Sequence, residues 1–258
     1  MLRSLKEIKG YRLTSVDGWS GRVHDFLFDD VFWSIRYLVA DTGRLLPGRK
    51  VLISPLLLEE PDWGNQALPV RLTKDEVRQG PGLNEDEPVA RQMERKFEQE
   101  RQWPMLWATS ETFALGRAAI PEQMLEQAQS AQPAEPQGDP HLRSIREVTG
   151  YDIQARDGSI GDVHDMIAEV RTWIVRYLVV DTRKWLPGGK KVLLSPAWID
   201  RLTWSEQDVA VAVDRDQVER APEYDPGQPV NRKYEARLYD FYGRPIYWNE
   251  EEERVGAP

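Results

Sequence analysis

Cysteine is absent from the 258-residue chain, and histidine occurs only three times, as His24, His141 and His164. The first absence excludes disulfides, thiol catalysis, zinc–thiolate sites and iron–sulfur clusters, and it fits a reducing compartment. The histidines do not show the His-x-x-x-His spacing of a helical metal site, and no Gly-x-Ser-x-Gly nucleophile motif occurs. Nothing in these patterns indicates a catalytic, cofactor or metal site, so we do not expect an enzyme.

Long apolar runs and basic clusters are also missing. The longest run, VLISPLLL at 51–58, is far shorter than the roughly 20 apolar residues of a membrane-spanning helix. The first residues, MLRSLKEIKGY, lack the apolar core of a signal peptide. The formal net charge of −9 repels nucleic acid phosphates. We therefore expect a cytoplasmic protein that has no transmembrane segment and does not bind nucleic acid.

The sequence contains an internal repeat. LRSLKEIKGY (2–11) matches LRSIREVTGY (142–151) at six of ten positions. WSIRYLVADT (33–42) matches WIVRYLVVDT (173–182), and KVLISP (50–55) matches KVLLSP (191–196). A period of about 140 residues indicates a duplicated domain rather than a solenoid repeat. The stretch at 126–140, rich in Gln, Ala and Pro, is typical of a flexible linker, so we expect domains at 1–125 and 141–258.

Each repeat has the pattern of a small antiparallel β-barrel. The Ser-x-x-Glu motifs that begin at Ser4 and Ser144 predict a short helical turn before the first strand. Asp17-Gly18 and Asp157-Gly158 then predict hairpin turns. Short apolar runs follow in the first repeat at 22–29, 33–41, 50–54 and 67–72. The glycine- and proline-containing turns between them favour a barrel of short strands.

An amphipathic helix is predicted at the end of each repeat. Pro88 and Pro229 stand where each helix would begin. Apolar residues then recur every four positions: Val89, Met93 and Phe97 in the first repeat, and Val230, Tyr234, Leu238 and Tyr242 in the second. The second repeat ends in the aromatic tail YEARLYDFYGRPIYW, which includes Tyr247 and Trp248. We expect this tail to pack on a barrel, with Tyr234, Leu238, Tyr242, Tyr247 and Trp248 as candidate interaction residues.

The ordered pattern Gly-Tyr, Asp-Gly, Gly-x-Val-x-Asp, Arg-Tyr-Leu-Val and Val-Leu-(Ile/Leu)-Ser-Pro resembles the PRC-barrel family. This family includes the cytoplasmic domain of the photosynthetic reaction centre H subunit and the C-terminal domain of the ribosome maturation factor RimM. The resemblance covers residues 4–81 and 144–222. The layout is most similar to stand-alone bacterial double PRC-barrel proteins, some of which are associated with stress. It implies two tandem PRC-like barrels.

GRVHD (21–25) and GDVHD (161–165) raise the possibility of a His-Asp site. Adjacent strand residues point to opposite faces, which argues against a shared metal or a catalytic dyad. A turn centred on Asp30 and Val31 would place Asp25 opposite Arg36 and His24 opposite Tyr37. The same register in the second repeat would pair Asp165 with Arg176. We expect these as structural cross-strand ion pairs, worth roughly 0.2–1 kcal/mol each.

The histidines would share the aromatic inner face, and Val23, Leu27 and Leu38 would lie on the other. That outer face is too apolar to be left in water, so a second repeat or another chain should cover it. We therefore expect a scaffold or adaptor that binds a protein partner or self-associates. Two alternatives stay open. One is an assembly factor for a membrane complex or the ribosome, and the other is a small-molecule or metal-binding enzyme using His24 and His164.

Overall fold

A computed structural model of the protein describes residues 1–43, 45–83, 141–203 and 206–248. The fold is mainly β, with two mixed sheets of seven strands each and short helices. The chain divides into two compact units. We name them by the repeat that forms most of each: the first-repeat unit and the second-repeat unit. The predicted linker at 126–140 and the predicted helix around Val89, Met93 and Phe97 lie outside the described residues.

The first-repeat unit holds one sheet whose strands follow the predicted runs closely. Its strands are β2 (Arg12–Ser15), β3 (Ser20–Asp29), β4 (Ile35–Asp41), β5 (Lys50–Ile53), β6 (Ala67–Val70), β7 (Gly82–Leu83) and β8 (Leu142–Ser144). Their order is β6-β2-β3-β4-β5-β7, and β8 pairs with β3 outside this path. Hydrophobic alternation and the Asp17-Gly18 turn produce the β2–β3 hairpin, as predicted.

The second-repeat unit repeats this arrangement. Its strands are β1 (Leu2–Ser4), β9 (Asp152–Ala155), β10 (Gly158–Glu169), β11 (Ile174–Asp181), β12 (Lys191–Leu194), β13 (Ile199–Thr203) and β14 (Asp208–Val211). They follow the order β12-β11-β10-β9-β14-β13, and β1 pairs with β10 outside this path. The duplication seen in the sequence therefore appears in the fold. Strands β2, β3, β4 and β5 of one sheet are neighbours in the same order as β9, β10, β11 and β12 of the other.

The units do not coincide with the predicted domains 1–125 and 141–258. Residues 1–5 belong to the second-repeat unit, and residues up to Arg146 belong to the first-repeat unit. The first strand of each repeat thus completes the sheet formed by the other repeat. Sequence periodicity cannot show this, because the two leading segments are nearly identical and the repeat pattern assigns neither of them to a sheet.

The expectation of purely antiparallel barrels needs correction. β2 pairs with β6 in parallel, and β14 pairs with β9 in parallel, so both sheets are mixed. The two parallel pairs arise because each returning strand follows a long connection rather than a tight hairpin. In the parts of the chain that the structure describes, the strand order of each sheet is open and does not close into a ring.

The hairpin register also differs from the prediction. The loop between β3 and β4 is longer than two residues, and Trp33 within it adopts a left-handed backbone conformation, as does Trp173 in the second repeat. One bulge then places an extra residue, Arg36, on β4, and another places His24 on β3. Bulges add an unpaired residue and break strict alternation. Asp25 therefore lies opposite Val39 rather than Arg36, and Asp165 lies opposite Val179 rather than Arg176.

The short helices follow their sequence signals. α1 (Leu5–Ile8) and α3 (Ile145–Val148) form the helical turns predicted after Ser4 and Ser144. α2 (Lys74–Gln79) begins with a Thr73–Glu76 capping box, and α4 (Arg215–Arg220) is its counterpart. α5 (Arg232–Tyr242) is capped by Asn231 and ends at Gly243, whose φ of +62° suits glycine. It is the helix predicted from the apolar period that begins at Val230.

Candidate functional site

Asp25 and Asp165 bind the leading strands rather than arginines across the hairpin. Ser144 donates a 2.5 Å hydrogen bond to Asp25 Oδ2, and the Arg146 backbone N–H donates to Asp25 Oδ1 at 3.3 Å. In the other unit, Ser4 donates a 2.5 Å hydrogen bond to Asp165 Oδ2. Both carboxylates are only 6 % exposed. A buried carboxylate needs such donors, so these contacts hold the leading strands in place.

Arg36 and Arg176 pair with acidic residues seven positions earlier in the chain. The Arg36 guanidinium lies 2.8 Å from Asp29 Oδ2, and that of Arg176 lies 2.8 Å from Glu169 Oε2. Burial by itself raises the pKa of Glu169. The charge and hydrogen bonds of Arg176 outweigh this effect and lower the pKa below its usual value. The bulge at each arginine explains the change of partner, because it moves the guanidinium toward the hairpin loop.

The two histidines occupy the bulged positions of β3 and β10. His24 Nε2 lies 3.3 Å from Arg146 Nη1, and His164 Nδ1 lies 4.0 Å from Asp181 Oδ2. Each therefore has local polar partners, and the two belong to different units. Among the residues that the structure describes, no three His, Cys, Asp or Glu side chains cluster closely enough to hold a metal ion.

A buried carboxylate organises the helix of the second-repeat unit. Glu235 on α5 is 2 % exposed and accepts hydrogen bonds from the hydroxyls of Tyr177, at 2.8 Å, and Tyr247, at 2.9 Å. Arg232 donates to Glu235 at 3.3 Å and to the Tyr247 hydroxyl at 2.8 Å. Arg176 lies over the Tyr247 ring, 4.2 Å from its centroid. This network fixes the aromatic tail to α5 and to the sheet.

Aromatic rings surround that network. Tyr239 packs against Trp198, Tyr247 and Trp248, and its hydroxyl donates to Ser195 at 3.4 Å. Burial is the main cause that raises the pKa of Tyr239 to about 12 and the pKa of Tyr177 well above its usual value. Burial likewise raises the pKa of Tyr242 and Tyr247.

The candidate interaction residues are therefore divided between the interior and the surface. Leu238, Tyr242 and Tyr247 are buried within their own unit. They hold α5 and the tail to the sheet of their own unit. Tyr234 and Trp248 are half-exposed. Of the five, these two remain accessible to a partner.

A groove of about 630 Å³ lies beside the start of α5. It is lined by tyrosine and proline side chains, by four basic residues (Arg183, Lys190, Lys191 and Arg237) and by two acidic ones (Glu223 and Asp225). The Tyr234 hydroxyl donates to the Pro222 carbonyl at 3.2 Å, and the Arg237 guanidinium lies 5.3 Å from the Tyr234 ring centroid. These contacts fix the aromatic wall of the groove.

The two repeats differ at Lys191, one of the two lysines that line this groove. In the first repeat, Lys50 Nζ lies 2.8 Å from Asp41 Oδ2, and this hydrogen bond is the largest cause that lowers the pKa of Asp41. In the second repeat, Arg183 stands at the position of Gly43. Its guanidinium pairs with Asp181, the counterpart of Asp41. Its hydrogen bond lowers the pKa of Asp181 to about 2. Within the described residues, the Lys191 ammonium group consequently has no acidic partner.

Sequence reasoning missed Glu235, Lys191 and the leading-strand serines. An Arg-x-x-Glu pair does recur in the sequence, as Arg91 and Glu94 in the first repeat and as Arg232 and Glu235 in the second. The exchange of Gly43 for Arg183 was also visible in the repeat alignment. Neither signal by itself predicts a buried contact, because charged residues usually face solvent.

No family model matches the chain, and no curated protein matches it. No helix in the described ranges is both long enough and apolar enough to span a membrane.

Proposed function

We propose that the protein is a non-enzymatic scaffold of two PRC-like barrels that binds an acidic segment of a partner protein. The observation that carries this proposal is the groove at the start of α5, where Lys191 lacks the carboxylate that its counterpart Lys50 possesses. An ammonium group in a groove with tyrosine and proline walls suits a carboxylate-containing peptide.

The walls of the groove are rigid, which supports recognition. α5 is held to its sheet by the buried Glu235, and Tyr234 is fixed at both its hydroxyl and its ring. A preformed groove loses little conformational entropy when it binds a ligand. The net charge of −9 disfavours non-specific attraction of an acidic partner, so selectivity has to come from this local basic surface.

The test uses the full chain and fluorescent peptides of equal length that are acidic, neutral or basic. We expect the acidic peptide to bind, and Lys191→Ala to weaken its binding about tenfold, which corresponds to about 1.4 kcal/mol. Lys9→Ala removes an exposed lysine that does not line the groove, and it should leave binding unchanged. Equal effects of both substitutions, or preference for the basic peptide, would contradict the proposal.

A photo-crosslinking residue at Arg237, an exposed position of the groove, extends the test to the native cell. We expect a discrete protein adduct that Lys191→Ala abolishes and Lys9→Ala leaves in place. Adducts that are equally abundant from a crosslinker placed at Lys9 would show that the groove is not the recognition surface.

A further inference from the structure

The leading strands, β1 and β8, dock on their acceptor sheets in the same way. β8 pairs with β3 at Leu27, Phe28 and Asp29, and β1 pairs with β10 at the equivalent residues. One further hydrogen bond extends each pairing. It joins the Asp30 N–H to the His141 carbonyl at 2.9 Å in the first-repeat unit, and the Val170 N–H to the Met1 carbonyl at 3.1 Å in the other.

A leading-strand side chain also enters the interior of the first-repeat unit. Leu142 is 2 % exposed and packs with Leu27, Tyr37, Val39 and Leu52 in one hydrophobic cluster. Leu27, which was predicted to share an apolar outer face with Val23 and Leu38, is therefore covered by the leading strand of the other repeat. It shares that cluster with Tyr37 and Val39 instead, so the predicted face was wrong in its other members. Ser144 and Ser4 complete the docking through the buried carboxylates of Asp25 and Asp165.

One position distinguishes the two docking sites. Asp30 in the first repeat corresponds to Val170 in the second, and His141 corresponds to Met1. In the observed pairing, His141 Nδ1 lies 2.8 Å from Asp30 Oδ1, and Arg143 Nε lies 3.5 Å from Asp30 Oδ2. Met1 meets Val170. The opposite assignment would place Met1 beside the largely buried Asp30 and His141 beside Val170, which removes a hydrogen-bonding partner from a buried carboxylate.

We propose that the 27–30 edge of β3 and the 167–170 edge of β10 are strand-acceptor sites, each selective for the leading strand of the other repeat. Asp30 and His141 make the selection, because Arg143 has an identical counterpart, Arg3, in the other leading strand. This is strand addition to a sheet edge, in which backbone hydrogen bonds supply affinity and side chains supply specificity. The partner that each site recognises is a Leu-Arg-Ser strand preceded by the matching residue, histidine for Asp30 and methionine for Val170.

Because each half of the chain carries the strand that the other half needs, the covalent connection between them becomes dispensable. The test places a protease recognition sequence at residues 131–134 of the full chain. After cleavage, we expect the two pieces to elute together with the mass of the intact chain at low micromolar concentration. Separation of the unsubstituted pieces under native conditions would overturn the proposal.

Charge substitutions at the serines show whether the leading strands hold the pieces together. Ser4→Asp and Ser144→Asp place a second carboxylate against Asp165 and Asp25. We expect each single variant to release the pieces faster, and the double variant to separate them. Ser20→Asp, at an exposed position of β3, is the matched control and should behave as the unsubstituted chain. Co-elution of the double variant after cleavage would overturn the proposal.

The double variant is useful only if its units fold, so its uncut chain is compared with the unsubstituted chain by circular dichroism. A second measurement does not depend on this variant. A labelled peptide of residues 141–151 should exchange into the cleaved chain, and its Ser144→Asp form should not. Equal uptake of both peptides would contradict docking through Asp25.

Selectivity is measured by separating the cleaved pieces in denaturant and refolding the mixture with distinguishable tags. We expect pairs of unlike pieces to exceed pairs of like pieces at least tenfold. Asp30→Val combined with His141→Met makes the two sites alike and should bring the ratio toward the statistical value. Like pairs that predominate without any substitution would contradict the assigned selectivity.

Discussion

The hydroxyl of Ser144 donates a hydrogen bond to the buried carboxylate of Asp25, a residue 119 positions earlier in the sequence. The equivalent bond joins Ser4 to Asp165, at a separation of 161 residues. The Gly-x-Val-His-Asp stretch that recurs in each repeat thus ends in a residue that anchors the leading strand of the other repeat. The functional partner of this aspartate is a serine, and the histidine beside it lies in a bulge.

Removal of Asp25 should destabilise the first-repeat unit. Asp25→Ala leaves the Ser144 hydroxyl and the Arg146 N–H without their acceptor in a buried site, and we expect a loss of about 2 kcal/mol in unfolding free energy. Urea unfolding measures it. Asp75→Ala removes an exposed carboxylate from a surface ion pair and should change little. An unchanged free energy of unfolding in Asp25→Ala would contradict the anchoring role.

The two bulge arginines should differ in their contribution to stability. Arg176 is 4 % exposed and covers Tyr247, so Arg176→Ala should cost about 3 kcal/mol. Arg36→Ala should cost about 1 kcal/mol. The smaller effect is expected because Arg36 is 20 % exposed and Asp29 keeps the N–H donors of Val31 and Phe32. Thermal unfolding of both variants gives the order, and an equal loss would argue against the tail-fixing role of Arg176.

Acid should weaken the second-repeat unit through Asp181. The hydrogen bond from Arg183 lowers its pKa from 3.8 to about 2, so the carboxylate stabilises the fold above pH 3.8, and this contribution disappears as the pH falls through about 2. The stability difference between the unsubstituted chain and Arg183→Ala should shrink over this window. Arg220→Ala breaks an exposed pair with Asp216 and serves as the control. A difference that is independent of pH would be inconsistent with the pairing.

Alkali should act on the buried tyrosines of the α5 cluster. Burial raises the pKa of Tyr239 from 10.0 to about 12, so its contribution to stability is complete below pH 10.0 and is lost as the pH rises through about 12. Ultraviolet titration should show Tyr177, Tyr239, Tyr242 and Tyr247 ionising only above the usual pKa. Ionisation of all nine tyrosines near pH 10.0 in the folded chain would show the cluster to be open.

Local sequence signals predicted the parts of the fold that depend on neighbouring residues. The Asp17-Gly18 hairpin, the Thr73 capping box and the helix after Pro229 were visible because turn chemistry, caps and apolar periods act within a few residues. The prediction of the β3–β4 register was wrong, because the register depends on the left-handed backbone of Trp33 and on two bulges. Neither feature has a distinctive residue type at these positions.

The strand exchange depends on contacts between residues far apart in the sequence, which periodicity does not report. Leu142-Arg143-Ser144 and Leu2-Arg3-Ser4 are identical, so the repeat pattern itself is silent about which sheet receives which strand. The distinguishing signal is the departure from symmetry at Met1, His141, Asp30 and Val170. In the sequence His141 is one of three scattered histidines, and only the pairing of β8 with β3 brings it to Asp30.

Engineered disulfides test the exchanged pairing most directly, since the chain contains no cysteine. Leu2 lies opposite Glu169, and Leu142 lies opposite Asp29. We expect Leu2→Cys with Glu169→Cys, and Leu142→Cys with Asp29→Cys, to form a disulfide within one chain under mild oxidation, as facing strand positions allow. Leu2→Cys with Asp29→Cys is the matched alternative and should stay reduced. A disulfide in that variant, with none in the first two, would place each leading strand on its own repeat and contradict the account.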